Sequence, residues 1–216
     1  MRTVASAAAV VVAVALVACG QPQVSLDPGP REYVPADYER VLSRWTRTEH
    51  LFALSALDEL LTVTATYESW DYRWAYVVRY AQDYRLSTEQ RRSLLDQALA
   101  ETRDHHEFFI ALYGTNRRST DLAKPTSAWI VRLVDDRGGE TAPESITAIA
   151  RPTALDRAYH PYLTVWRQAF RIRFPATSGG QPTLTPGARW VGLRFAGAEG
   201  REELGWNLAA PVTPAD

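Results

Sequence analysis

Between Ala36 and Tyr113 the chain has neither proline nor glycine, and Gly114 is the first of either to appear. Beyond Pro35 the remaining prolines all fall within 125–216, as does every glycine after Gly114. A stretch free of both breakers suits long uninterrupted elements, whereas a Pro- and Gly-punctuated one suits short strands and turns. The shift therefore predicts two halves, joined by a polar connector over 115–125.

The first half, 37–114, reads as helical. At 100° steps, Tyr38, Leu42, Trp45, Phe52, Leu60 and Val63 share one face. The β-branched run Thr62–Thr66 weakens that helix, so a break is placed at 66–70. A second helix carries Trp70, Trp74, Val77, Ala81 and Tyr84 on one stripe. Ser87 with Gln90 makes a capping box for a third, which is expected to run through Leu112 to Gly114.

The second half, 126–209, reads as strands. Phe170, Ile172 and Phe174 alternate with Arg171 and Arg173, and Val191, Leu193 and Phe195 alternate with Gly192 and Arg194. Asp135–Gly139 is a strong turn. The expected fold is α+β: an N-terminal three-helix antiparallel bundle followed by a small antiparallel β-sandwich. Each half is small for independent stability, so the two are expected to pack together, with 210–216 as a tail.

The N-terminus has its own logic. Arg2 precedes Val4–Val17, an Ala/Val run with one polar residue, Ser6. The run is shorter than the about 20 residues a membrane span needs and matches the apolar core of a signal peptide. It ends in Leu16-Val17-Ala18-Cys19-Gly20, and Cys19 is the only cysteine. This motif resembles the lipobox of bacterial lipoproteins. The resemblance implies removal of 1–18, acylation of Cys19 and a lipid anchor in the membrane. Gly20 after the cysteine, rather than Asp, implies sorting to an outer membrane in a cell that has one. Three prolines and a glycine in 28–35 predict an extended tether over 19–36.

Little points to catalysis. The chain lacks a Gly-x-Ser-x-Gly elbow, a phosphate-binding glycine loop and the Glu-x-x-His pairs of dimetal bundles. A formal net charge of −1 excludes bulk electrostatic binding to nucleic acid. A single Cys excludes an intrachain disulfide and a multi-Cys zinc site. No cofactor is expected. On the helical reading, Glu49 faces inward between Trp45 and Phe52, and His105 and His106 bracket the inner face of the third helix. Those three could hold a metal, although a buried ion pair explains them as well. Tyr72 and Tyr76 fall opposite the apolar stripe, beside Arg73 and Arg79. They form either a partner-binding patch or the face that packs on the β half. Arg171, Arg173 and Arg194 could extend that patch on the exposed sheet face, where ordinary solvated arginine is the alternative.

These features lead to one expectation: a lipid-anchored cell-envelope protein, non-catalytic, serving as an accessory or scaffold component through a protein partner. A small-ligand or metal-binding lipoprotein using Glu49, His105 and His106 is the alternative. An envelope hydrolase with a scattered triad built on one of the four histidines is a third.

Overall fold

Thr62, Thr64 and Thr66 alternate with Leu61, Val63, Ala65 and Tyr67, and this period of two makes the stretch a strand. The computed structural model describes residues 21–53, 58–114, 117, 120–198 and 200–209. The signal segment, Cys19 and the 210–216 tail lie outside them. After a 3-10 turn (Pro35–Asp37) comes helix α1 (Tyr38–Trp45), followed directly by strands β1 (Thr46–Ala53) and β2 (Asp58–Tyr67). Helices α2 (Trp70–Asp83) and α3 (Thr88–Asp104) follow, then strand β3 (His105–Gly114).

The expected three-helix bundle is therefore absent: strand makes up 39% and helix 27% of the chain. Two causes are visible in the residues. Over 46–67 the apolar positions satisfy both a helical and a strand period, and the β-branched threonines favour the strand. Over 105–114 the run is buried on both faces, with Phe108, Phe109, Ile110, Ala111 and Leu112 fully covered. Such a run carries no period to read. The Ser87/Gln90 capping box does start α3, but the helix stops at Asp104, where His105 is already extended.

The rest is strand with one short helix: β4 (Trp129–Asp135), β5 (Glu140–Thr141), β6 (Ser145–Ile149), α4 (Ala154–Tyr159), β7 (Gln168–Pro175), a two-residue pair β8 (Thr177–Ser178) and β9 (Gln181–Pro182), β10 (Trp190–Gly197) and β11 (Gly200–Asn207). One antiparallel sheet has the order β1-β2-β3-β7-β6 and a second has β11-β10-β4-β5. The sheets thus ignore the division at 115–125, because β7 pairs with β3 from the first half and β6 pairs with β7.

One core lies between the two sheets. Leu61, Val63, Phe108, Ile110, Phe170 and Ile172 from the first meet Val131, Leu133, Val191, Leu193, Phe195 and Trp206 from the second. The Trp206 ring packs at 6.0 Å from Tyr67 and 5.6 Å from Phe108. Asp135 closes the β4–β5 turn by accepting from the Arg137 and Gly139 amides, and it anchors the Thr185 amide.

The proline-rich segment is not a free tether either. Val24 is buried and bridges to Leu208. Asp71, itself buried, accepts from Arg31 Nε, Tyr33 Oη and Trp45 Nε1 at 2.9, 2.6 and 2.9 Å. Trp70 Nε1 donates to Gly29 O. PPII-like backbone has no internal hydrogen bonds, so its side chains and carbonyls are free to dock on the body, and here they do. No helix among the described residues is long and apolar enough to cross a membrane.

Candidate functional site

On the outer face of the larger sheet, register places Glu107 of β3 opposite Arg173 of β7, and Phe109 opposite Arg171. Glu68 follows the end of β2, and Arg73 sits in the first turn of α2, whose N-cap is Ser69. These elements close a cleft of ≈ 230 Å³ with α3 and α4. Arg73 is its hub. Nη2 donates to Glu107 Oε2 (2.9 Å) and Glu68 Oε2 (3.2 Å), and Nη1 to Glu101 Oε2 (2.6 Å). Arg173 Nε donates to Glu107 Oε2 (3.0 Å), and Arg171 Nε lies 2.8 Å from Glu107 Oε1. The Arg171 contact has ion-pair distance without hydrogen-bond alignment, so its attraction is chiefly coulombic. Three glutamates and three arginines thus neutralise one another, with Arg73 and Glu107 buried and Arg171 and Arg173 reaching the mouth. Burial would raise the Glu68 carboxyl, but Arg171 and Arg73 outweigh it and hold the group below its ordinary value.

A histidine and three tyrosines line the neighbouring wall. The His160 ring stacks on Phe109 at 3.8 Å between centroids and 9°. Its Nδ1 lies 3.2 Å from Asp156 O, and its Nε2 lies 3.1 Å from Tyr72 Oη. Burial lowers the imidazole below its ordinary value, against the opposing pull of Glu68. A neutral ring then donates Nδ1–H to Asp156 O and accepts a hydrogen bond from the Tyr72 hydroxyl at Nε2. Tyr38 Oη donates to Tyr159 O at 2.7 Å and sits 3.1 Å from Tyr72 Oη. From Tyr72 the α2 tyrosines continue outward as a stack, with Tyr76, Tyr80 and Tyr84 at centroid steps of 6.3, 5.9 and 4.3 Å. Burial pushes the Tyr76 phenol up to about 12, with Glu68 adding to it.

Of the seven expected partner-binding residues, Tyr72, Arg73, Tyr76, Arg171 and Arg173 all line this cleft. Tyr72 is nevertheless 2% exposed, so it floors the cleft and offers no outward patch. Of the two readings of this helical face, packing holds for Tyr72: Tyr38 of α1 and, through Tyr76, Tyr159 of α4 cover it. Arg79 stands outside on α2, paired with Asp83 and Glu39. Arg194 lies on the other sheet, paired with Glu203 and Glu140. Glu68, Glu107 and His160 were not expected in a binding site. Glu107 was the legible one, since it precedes an apolar run, but only β3–β7 register brings it to Arg173.

The possible metal trio is not assembled. Glu49 lies on β1 opposite Val63, where burial, with Glu202 adding to it, raises its carboxyl. His105 and His106 open β3 and point to opposite faces. His105 Nε2 pairs with Glu144 Oε2 at 2.9 Å, and His106 Nδ1 meets Tyr67 Oη at 2.6 Å. The helical spacing that joined the three is lost in the strand. Among the described residues no group of three His, Cys, Asp or Glu is placed to hold a metal ion.

His106 makes a prediction of its own. Burial, with His105 adding to it, lowers its imidazole from 6.5 to about 4. The unfolded chain binds this proton more readily, so the contribution is complete above about pH 6.5 and drains as pH falls toward 4. The loss amounts to roughly 3 kcal/mol. Denaturant unfolding at pH 7 and pH 4.5 should show the drop, and His106→Gln should flatten it relative to the parent. Equal pH dependence in both proteins would refute the assignment.

No family model matches the chain, and neither a curated protein nor a solved structure does. The reading of the cleft rests on its own chemistry. Both inner carboxylates are held by guanidinium groups, and neither is left as a free base or nucleophile. The mouth presents Arg171, Arg173 and the Tyr76 ring, groups that recognise anionic and planar surfaces.

Proposed function

We propose that this chain is a lipid-anchored cell-envelope protein that acts by binding and is not itself a catalyst. The observation that carries the binding half is the convergence of Arg73, Arg171, Arg173, Tyr72 and Tyr76 on one cleft whose acids are already paired. A partner engages the mouth, where Arg171 and Arg173 keep about two-fifths of their side chains in solvent and can turn from the glutamates to an incoming carboxylate. Arg and Tyr are the residue types that dominate binding energy at protein interfaces. A photo-crosslinking amino acid at position 76 should trap one discrete envelope protein in living cells. Arg173→Gln should remove that adduct while leaving the fold intact. A diffuse or empty result would overturn the reading.

The anchoring half rests on Leu16-Val17-Ala18-Cys19. Cys19→Ser should leave an uncleaved precursor that no longer takes up labelled palmitate. Normal processing of that variant would refute lipidation. With acyl chains contributing about 0.8 kcal/mol per buried methylene, the lipid alone accounts for stable membrane attachment.

A further inference from the structure

Where the docked proline-rich segment meets the start of α2, the end of α3 and the first residues of β3, a pocket of ≈ 390 Å³ opens, lined by Leu26, Pro28, Trp70, Arg103 and His106 among others. Its segment wall is tied in place. Arg31 donates to Asp27 O, Gly29 O and Asp71 Oδ1, and Trp70 Nε1 donates to Gly29 O at 2.7 Å. Leu26 and Trp70 are half-buried and keep apolar surface toward the pocket.

The charges on the walls do not balance. The one carboxylate among the described lining residues is Glu68, which stands between this pocket and the arginine cleft. Arg73 and Arg171 already take it, at 3.2 and 3.5 Å. Arg103 is exposed at the rim and has no ion pair or hydrogen bond among the described residues.

A donor is left over at the inner end. Tyr67 is buried, its hydroxyl meets His106 Nδ1 at 2.6 Å, and it has no other acceptor among the described residues. The phenol therefore donates to Nδ1. Burial keeps the His106 ring neutral, with a value of about 4, so its single proton stands on Nε2. Among the described residues nothing accepts from that N–H.

We propose that this pocket binds a small aromatic carboxylate, with the acid group on Arg103, the ring along Trp70, Leu26 and Pro28, and a neutral acceptor atom on His106 Nε2–H. The acid belongs at the rim, because a carboxylate placed deep would be buried with one neutral donor, whereas the guanidinium fork matches it. The inner donor selects an acceptor and rejects an ammonium group. The indole and the proline ring offer flat apolar surfaces, and a rigid ring loses less freedom on binding than an alkyl chain. The volume falls in the roughly 300–1,000 Å³ range of small-molecule sites.

4-Acetylbenzoate carries all three features and is the probe. The full chain is labelled with 5-fluorotryptophan in phosphatidylcholine nanodiscs, and the fluorine signal missing from Trp70→Phe identifies Trp70. That signal should move saturably with added probe. Arg103→Gln should weaken binding by about tenfold, the worth of a charged hydrogen bond, with an unchanged thermal melt, and the uncharged 4-acetylbenzyl alcohol should bind the parent more weakly by a similar factor. His106→Leu should weaken it by about three- to tenfold, as for a neutral hydrogen bond, and His106→Gln, which keeps an N–H in that place, should restore most of the loss. A purely structural role for His106 would make the two variants lose equally, which would overturn the proposal. So would a Trp70 signal that stays still at high probe, full affinity in Arg103→Gln, or hexanoate binding as tightly as 4-acetylbenzoate.

Discussion

Trp206→Ala should destabilise the protein by about 3–5 kcal/mol, the usual cost of deleting a buried aromatic. Trp206 is fully buried at the centre of the core, where the two sheets meet. Its ring fills the space against Tyr67 and Phe108, and its Nε1 donates to Trp45 O at 3.0 Å. The Arg47 guanidinium lies over its face, 5.6 Å from the ring centroid. Truncation therefore removes ring contacts, a hydrogen bond and a cation–π partner together. Arg47 is already expensive to bury: no carboxylate pairs with it among the described residues, and its Nη2 makes no hydrogen bond. Trp206→Phe keeps most of the volume and should cost about 1 kcal/mol, near the net worth of the lost hydrogen bond. Guanidinium unfolding midpoints of the two variants measure the difference. A Trp206→Ala midpoint equal to that of Trp206→Phe would show that the sheets do not pack through this ring.

Arg73→Met should cost about 3 kcal/mol, at the lower end of the range for breaking a buried ion pair. Removing the hub leaves Glu68 and Glu107 buried with only the half-exposed Arg171 and Arg173 as partners. Those two arginines limit the damage, which is why the upper end of the range is not expected. Adding Glu68→Gln should restore part of the loss, because an amide tolerates burial without a counter-charge. Arg73→Lys should fall in between, since an ammonium keeps the charge but cannot reach Glu68, Glu107 and Glu101 at once. Urea unfolding of the single and double variants measures the coupling. Strict additivity of Arg73→Met and Glu68→Gln would mean that the cluster is not a network.

The candidate cleft was half legible. Its arginines and tyrosines stand out from the alternation in 168–174 and from the crowding of aromatics in 70–84. Its acids do not, because Glu107 becomes a partner of Arg173 only through strand pairing across 66 residues. For Tyr72 the helical period gives the side of α2 opposite the Trp70 and Trp74 stripe, but not whether a partner or the fold itself covers that side. In the fold its Oη lies between Tyr38 and His160.

Local signals decided what is local. The Ser87/Gln90 box starts α3, the Asp135–Gly139 turn follows β4, and strict alternation makes β7 and β10 strands whatever they pair with. These depend on backbone preferences and on side chains a few residues apart. Tertiary structure decided the rest. Residues 46–67 satisfy two periods and 105–114 satisfy none, so neither stretch is committed until a neighbouring strand supplies backbone partners. Only sheet pairing then places β1, β2 and β3 beside β7 and β6, gathers Glu68, Glu107, Arg171 and Arg173, and separates Glu49 from His105 and His106. Periodicity reports which face of an element is apolar, but the strand that will lie against it is chosen by contacts from distant parts of the chain.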